Sequence, residues 1–283
     1  MEAEGFWRFA HERQAIWHRR FVEYAPQPWT DDPILRAYRF TNVHRELDAG
    51  TIVLLERVQA RAASREAIVF NTMLYRVFNN YGAWVECDPF CTTRDEIDEA
   101  FSRLRTRWEA KRTIFTAAWT LGQLPYAGRD RLEKIRTAIR DWDAYQLTRD
   151  LTEAGSLISA AKILMGQKLI GSFTAFQIAL DMSYIMPFTD DEPLPVFYVG
   201  TGKDLTRAPS GSGSALLQLE TTVEALRDDQ DRALAELGLD WGAVAWEAKP
   251  RLTMADIEHT LCEFMKYTKM CGGNVRGQRK YGA

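Results

Sequence analysis

Phe6-Trp7-Arg8-Phe9-Ala10-His11-Glu12-Arg13-Gln14-Ala15-Ile16-Trp17-His18-Arg19-Arg20-Phe21 sets the pattern that most of the chain repeats. Phe6, Phe9, Ile16, Trp17 and Phe21 recur at helical spacing with Arg13 in the same stripe, which predicts a helix with one apolar face. Ala25-Pro26-Gln27-Pro28 ends it, because proline lacks an N–H and pushes the residue before it out of the α region. Thr30-Asp31-Asp32-Pro33 starts another: the Asp32 carboxylate suits the cap and Pro33 suits the first turn. That second helix is expected to bury Ile34, Leu35, Tyr38 and Val43.

Working outward, residues 64–80, 95–112, 129–145, 169–184, 215–237 and 254–270 read as helices. Thr93-Arg94-Asp95-Glu96 and Thr253-Met254-Ala255-Asp256 have capping-box form ahead of two of them. The best short β-like run is Val196-Phe197-Tyr198-Val199. The expected fold is therefore all-α, as one unit over residues 1–283 with room for two lobes around a central cleft. Residues 187–213 hold four of the ten Pro and four Gly, and long irregular stretches in compact domains tend to be functional.

Composition narrows the function classes. Hydrophobic residues make up 46% and charged residues 27%, which supports a packed core. A net charge of −3 argues mildly against a non-specific nucleic-acid coat, yet leaves room for a local basic groove. Residues 264–283 carry five basic side chains and no acid, so one end is cationic. The four cysteines have neither zinc-knuckle nor iron–sulfur spacing, and His11 and His18 lack companion ligands, so no metal and no cofactor is expected. The charged N-terminus and the lack of an 18-residue apolar run lead us to expect a cytoplasmic address and no membrane partner.

Several residue groups invite chemistry. Gly200-Thr201-Gly202-Lys203 fails the Walker pattern, with Phe197 and Asp204 at the deciding positions. A Gly-x-Gly turn between helices can instead offer backbone N–H groups to a DNA phosphate, although surface turns of this composition are commoner. Gln177 and Asp181 share a helix face with Phe173, Phe176 and Tyr184, either as a polar edge on a core helix or as a carboxylate at the end of an aromatic pocket. Arg39, Asn42, Arg45 and Glu46 fall near one helix face, where the arginines with Asn42 would hold a phosphate or a base edge, or where Arg45 would pair with Glu46 or Asp48 as a structural ion pair. The Gly-rich tail with Arg276 and Lys280 is either a frayed end or an arm for DNA backbone.

Taken in order, Phe6-Trp7…Glu12-Arg13…Ile16…Arg19-Arg20, Pro28-Trp29-Thr30-Asp31-Asp32-Pro33-Ile34-Leu35 and Tyr38-Arg39-Phe40-Thr41-Asn42-Val43-His44-Arg45-Glu46-Leu47-Asp48 resemble the alpha-glutamyl/putrescinyl thymine pyrophosphorylase family. The same pattern is similar to the helical domain of phage 5-hydroxymethyl-deoxyuridine DNA kinases. Phe173…Phe176-Gln177…Asp181…Tyr184, Gly200-x-Gly202 and the Val275–Tyr281 tail extend the match.

The resemblance implies a DNA glycosylase-like helical fold with a helix–hairpin–helix-type turn. It also implies a phage transferase that replaces phosphate or pyrophosphate on a 5-(phospho)methyl-deoxyuridine in double-stranded DNA. The incoming group would be an amino acid such as glycine or serine, or a polyamine. A flipped base would stack on Trp29, Phe173 or Phe176. Arg39, Arg45, Arg276 or Lys280 would steady the departing phosphate. Asp181, or second Asp48, would take the proton of the amine, with Gln177 and Asn42 orienting. Two alternatives stay open: excision of a modified pyrimidine, and non-catalytic DNA binding beside a base kinase.

Overall fold

The computed structural model describes residues 3–116, 130–186, 213–273 and 280–281, with the backbone alone for 213–221. Every regular element among the described residues is a helix, apart from isolated bridges, as the periodicity predicts. The chain divides into two compact units, Met1–Asp48 with Val199–Ala283, and Ala49–Tyr198.

The first unit contains α1 (Ala3–Phe21), the short α2 (Pro33–Ala37), a 3₁₀ turn (Arg45–Leu47) and two later helices. These later helices are α11 (Gly213–Glu236) and α12 (Met254–Cys271). Its core is aromatic. Phe9 meets Phe40, Phe264 and Tyr267 at ring-centroid distances of 5.7, 5.6 and 5.1 Å. Gly5 makes the close approach of α1 to α12 possible, since a Cβ there would stand 3.2 Å from the Phe264 ring. Thr253 caps α12 by accepting the Asp256 N–H, and the Asp256 carboxylate accepts the Thr253 N–H in return at 3.0 Å. That is the capping box the sequence predicts.

The second helix is shorter than expected. Asp32 caps it, accepting the amides of Ile34 and Leu35 at 2.8 Å, but the chain leaves the helix at Tyr38 with φ −121° and ψ 147°. The reason lies in α1. The buried Arg13 donates to the carbonyls of Thr41 and Phe40 at 2.9 and 3.0 Å and to Asn42 Oδ1 at 2.7 Å. This clamp satisfies polar groups of residues 40–42 in non-helical backbone, and residues 39–44 lie outside any helix. Arg39, Asn42, Arg45 and Glu46 therefore do not share a helix face.

The second unit packs α4 (Arg65–Phe78) against α8 (Ala144–Glu153) and α10 (Ser172–Met182). It also holds α3 (Ala49–Val53), which widens into a π-helical turn (Leu54–Gln59), and α5 (Tyr81–Cys87). The remaining members are α6 (Glu96–Glu109), α7 (Arg131–Ile139) and α9 (Leu157–Met165). Val69, Met73, Leu74, Ile135, Leu151, Leu164 and Phe176 form its interior. The helix read over 129–145 is two helices, because the Asp143 carboxylate accepts the Gln146 amide at 3.0 Å and restarts the chain as α8. Ahead of α6, Glu96 accepts the Thr93 amide at 3.4 Å, as the motif suggests, and binds the Thr92 amide and hydroxyl more closely, at 2.6 and 2.8 Å.

Candidate base-binding pocket

Between α1 and α2 the chain turns through Gln27-Pro28, joined by a cis peptide bond, into Trp29. The Trp29 indole N–H donates to the Ala25 carbonyl at 2.8 Å, and Arg19 donates to the Trp29 carbonyl at 2.5 Å. With both ring and backbone tied, Trp29 is a fixed wall. A second wall, set at 70° to the first, comes from the opposite end of the sequence. Tyr281 lies edge-on to Trp29 with ring centroids 5.8 Å apart, and its N–H donates to the Ala37 carbonyl at 3.2 Å.

These two rings, with Ile16, Pro28, Leu35 and Arg36, line a pocket of about 330 Å³. That size is near the lower end for small-molecule sites, roughly 300–1,000 Å³. Arginines surround it. The Arg20 guanidinium lies 5.0 Å from the Trp29 ring, and Arg39 lies 5.6 Å from the Tyr281 ring. Lys280 pairs with Tyr38 in an antiparallel bridge and places its ammonium 5.7 Å from that ring. Stacking faces inside a cationic rim suit a planar ring that carries negative charge.

A neighbouring pocket of about 410 Å³ shares Pro28, Trp29 and Thr30, and adds Glu12, Arg19, Asp31 and Asp32. Arg19 pairs with Glu12 at 3.0 Å, and Asp32 Oδ2 accepts the Tyr267 hydroxyl at 2.6 Å. Burial, and then the hydrogen bond to Asp32 and that residue's charge, push the Tyr267 phenol well above its ordinary range. The phenol is therefore a fixed donor at neutral pH.

The other residues singled out in the sequence are dispersed. Asn42 donates to the Leu47 carbonyl at 2.6 Å and receives Arg13, while its own amide donates to Asp48 Oδ1 at 2.8 Å. Asp48 Oδ2 faces His259 at 3.5 Å, and Arg45 is buried. All of these belong to the first unit. Asp181, Gln177 and Phe176 belong to the second unit, on α10. Asp181 is wholly buried and paired with Arg76 of α4, Gln177 is 7% exposed, and the Phe176 ring lies entirely inside the core. Gly200, Thr201, Gly202, Lys203 and Arg276 lie outside the described residues.

Sequence reasoning missed Tyr281 as a partner of Trp29, Arg76 as a partner of Asp181, and Arg13 as the organiser of residues 40–42. The only signal for Arg13 was a charge within an apolar stripe. No helix among the described residues is long and apolar enough to cross a membrane.

Comparison with known proteins gives the pocket a setting. No solved structure matches the chain. A curated relative, the 5-hmdU DNA kinase of Bacillus phage SP10, is 28% identical over a stretch covering 63% of this chain. The chain spans 30% of that relative's length. Residues 2–277 match the model of the 5-hmdU DNA kinase helical domain. The chain belongs to that helical-domain family.

Proposed function

We propose that this chain modifies thymine-derived bases in phage DNA, replacing phosphate or pyrophosphate on a 5-(phospho)methyl-deoxyuridine with an amino acid or a polyamine. The observation that carries the reading is the Trp29–Tyr281 pocket with Arg20, Arg36 and Arg39 about it, in a chain of a DNA-base kinase helical-domain family. A base stacked in a duplex cannot bring its 5-substituent into such a pocket, so the target nucleotide swings out. Trp29 and Tyr281 receive the ring. The arginines balance the charge that builds on the phosphate oxygens as the bond to the methylene carbon breaks.

The amine arrives protonated and attacks only after losing a proton. In our reading a carboxylate of the first unit accepts it, Asp31, because it borders Trp29; Asp48 already takes the Asn42 amide and faces His259. Asp32 is already engaged by two amides and a phenol, and Asp181 by Arg76. A glycosylase-like fold and a DNA grip by Gly200-Thr201-Gly202-Lys203 with Arg276 remain part of this proposal.

The test is incubation of the full chain with duplex DNA carrying 5-phosphomethyl- or 5-pyrophosphomethyl-deoxyuridine, with and without a mixture of amino acids and polyamines. Mass spectrometry of the nucleosides should show loss of phosphate and gain of one amine residue. Abasic sites would instead establish excision. A second reading, a DNA-binding module that serves a kinase, is favoured by the much greater length of the kinase relative. It predicts duplex binding with no change in base mass.

A further inference from the structure

The first unit contains a second polar centre that the proposed transfer reaction does not use. His44, Glu46 and Asp256 each bring one ligand-type atom to within 4.8 Å of the others. They come from the non-helical segment before the 3₁₀ turn, from the turn itself and from the first turn of α12. His44 is wholly buried, and neither ring nitrogen has a hydrogen-bond partner. Its Nδ1 stands 3.6 Å from Asp256 Oδ2, too far for a hydrogen bond. Glu46 Oε2 is also buried and without a hydrogen-bond partner. Trp246 and Trp241 flank the imidazole at 5.6 and 6.4 Å.

One cation is already there. Lys249 places its ammonium 2.9 Å from Glu46 Oε1 and 2.8 Å from Asp256 Oδ2. Asp256 Oδ2 also accepts the Thr253 amide and hydroxyl at 3.0 and 2.8 Å, so the carboxylate oxygen left unmet in this mostly buried site is Glu46 Oε2, and a buried oxygen without a partner is costly. A divalent ion would balance both carboxylates alone. Lys249 has a way out, because its side chain is 23% exposed on a flexible stem. The imidazole that makes no hydrogen bond, and the spare Glu46 oxygen, are the donors that such an ion would engage.

We infer that His44, Glu46 and Asp256 form a binding site for a first-row divalent transition ion, with Lys249 competing for the same charge. One imidazole with two carboxylates suits manganese, iron, cobalt or zinc better than the all-oxygen preference of magnesium or calcium. Bound there, the ion would tie the segment around His44 to α12. The inference does not depend on the reaction proposed above.

The experiment uses the full chain, stripped with chelator and titrated with Co²⁺ as a spectroscopic probe and with Zn²⁺ as its competitor. The expected result is a visible absorption band that saturates at one equivalent, is displaced by Zn²⁺, and accompanies a rise in Tm. His44→Gln and Glu46→Gln should each weaken Co²⁺ binding by tenfold or more, at roughly the scale at which lost metal-site contacts act. Lys249→Met should bind Co²⁺ more tightly than the parent. Absence of both band and thermal shift in the parent chain overturns the site, as does a band that survives both glutamine variants. Unchanged or weaker binding in Lys249→Met overturns the competition. Should one glutamine variant fail to fold, the other decides.

Discussion

Arg76 clasps both carboxylate oxygens of Asp181, with Nη2 donating to Oδ1 at 2.8 Å and Nε to Oδ2, and joins α4 to α10 inside the second unit. The two side chains are 6% and 0% exposed. Asn79 accepts a further Arg76 N–H at 2.8 Å, and Gln59 donates to the Asp181 carbonyl at 2.9 Å, so the pair sits in a hydrogen-bonded frame.

Removing one partner leaves the other charged and buried. Asp181→Asn and Arg76→Met should each destabilise the protein by about 3–5 kcal/mol, whereas an apolar double replacement should cost less than the sum. Urea melts arranged as a double-mutant cycle check this. An Asp181→Asn protein that melts like the parent but has lost turnover would instead assign proton transfer to this carboxylate.

How far the sequence carried depended on the distance between partners. Asp32 before Pro33, and Thr253 before Asp256, act within one helical turn, so their caps could be read directly. Residues 38–48 were misread because Arg13, which takes their carbonyls, acts from 27–29 residues away. Asp181 read either as a polar edge on a core helix or as a carboxylate at the end of an aromatic pocket, since its Arg76 partner lies 105 residues earlier on another helix. Trp29 was legible as a stacking surface only through the family resemblance. That Tyr281 would close the pocket was not, because only the tertiary fold brings the two ends of the chain together.

Acid should weaken the second unit. Hydrogen bonds from Arg136 and then Arg140 hold Asp98 below the usual carboxylate range. A hydrogen bond from Arg105, and then the Glu133 amide, do the same for Asp130, and the Thr92 amide and hydroxyl do so for Glu96. Depressed folded-state values mean that the unfolded chain takes up protons first. This stabilisation is therefore complete above about pH 4–5 and is lost as pH falls through the lower folded values. Urea midpoints measured from pH 6 to pH 3 should fall, and Asp98→Asn should flatten the fall. An equal slope in that variant would remove Asp98 from the account.

Thiol reactivity should separate the cysteines. Burial pushes Cys91 up to about 12 and also raises Cys87, whereas Cys271 is exposed. The thiolate is the reacting species, so at pH 8 Cys271 should react quickly with a disulfide reagent while Cys87 and Cys91 wait for unfolding. Mass mapping of modified peptides, with and without urea, checks the order. Fast labelling of Cys91 in the native protein would contradict its packing beside Asn71, whose side chain accepts the Cys91 amide at 2.9 Å.

The pocket itself makes the sharpest demand. If Trp29 and Tyr281 receive a flipped pyrimidine, replacing either ring with alanine removes a stacking face worth about 1–3 kcal/mol. That corresponds to a loss of roughly 5- to 150-fold in affinity for duplex DNA carrying the phosphorylated base. Trp29→Phe should recover much of it, because a smaller ring still offers a π-face. Arg39→Met should act differently. Its loss should fall mainly on phosphorylated substrate, leaving the unphosphorylated 5-hydroxymethyl duplex bound about as before, because the guanidinium answers the phosphate and not the ring. Competition binding with the two duplexes, at fixed salt, separates these effects. Equal weakening of both duplexes by Arg39→Met would move that arginine to the DNA backbone, and unchanged binding in Trp29→Ala would leave the pocket without a role in base recognition.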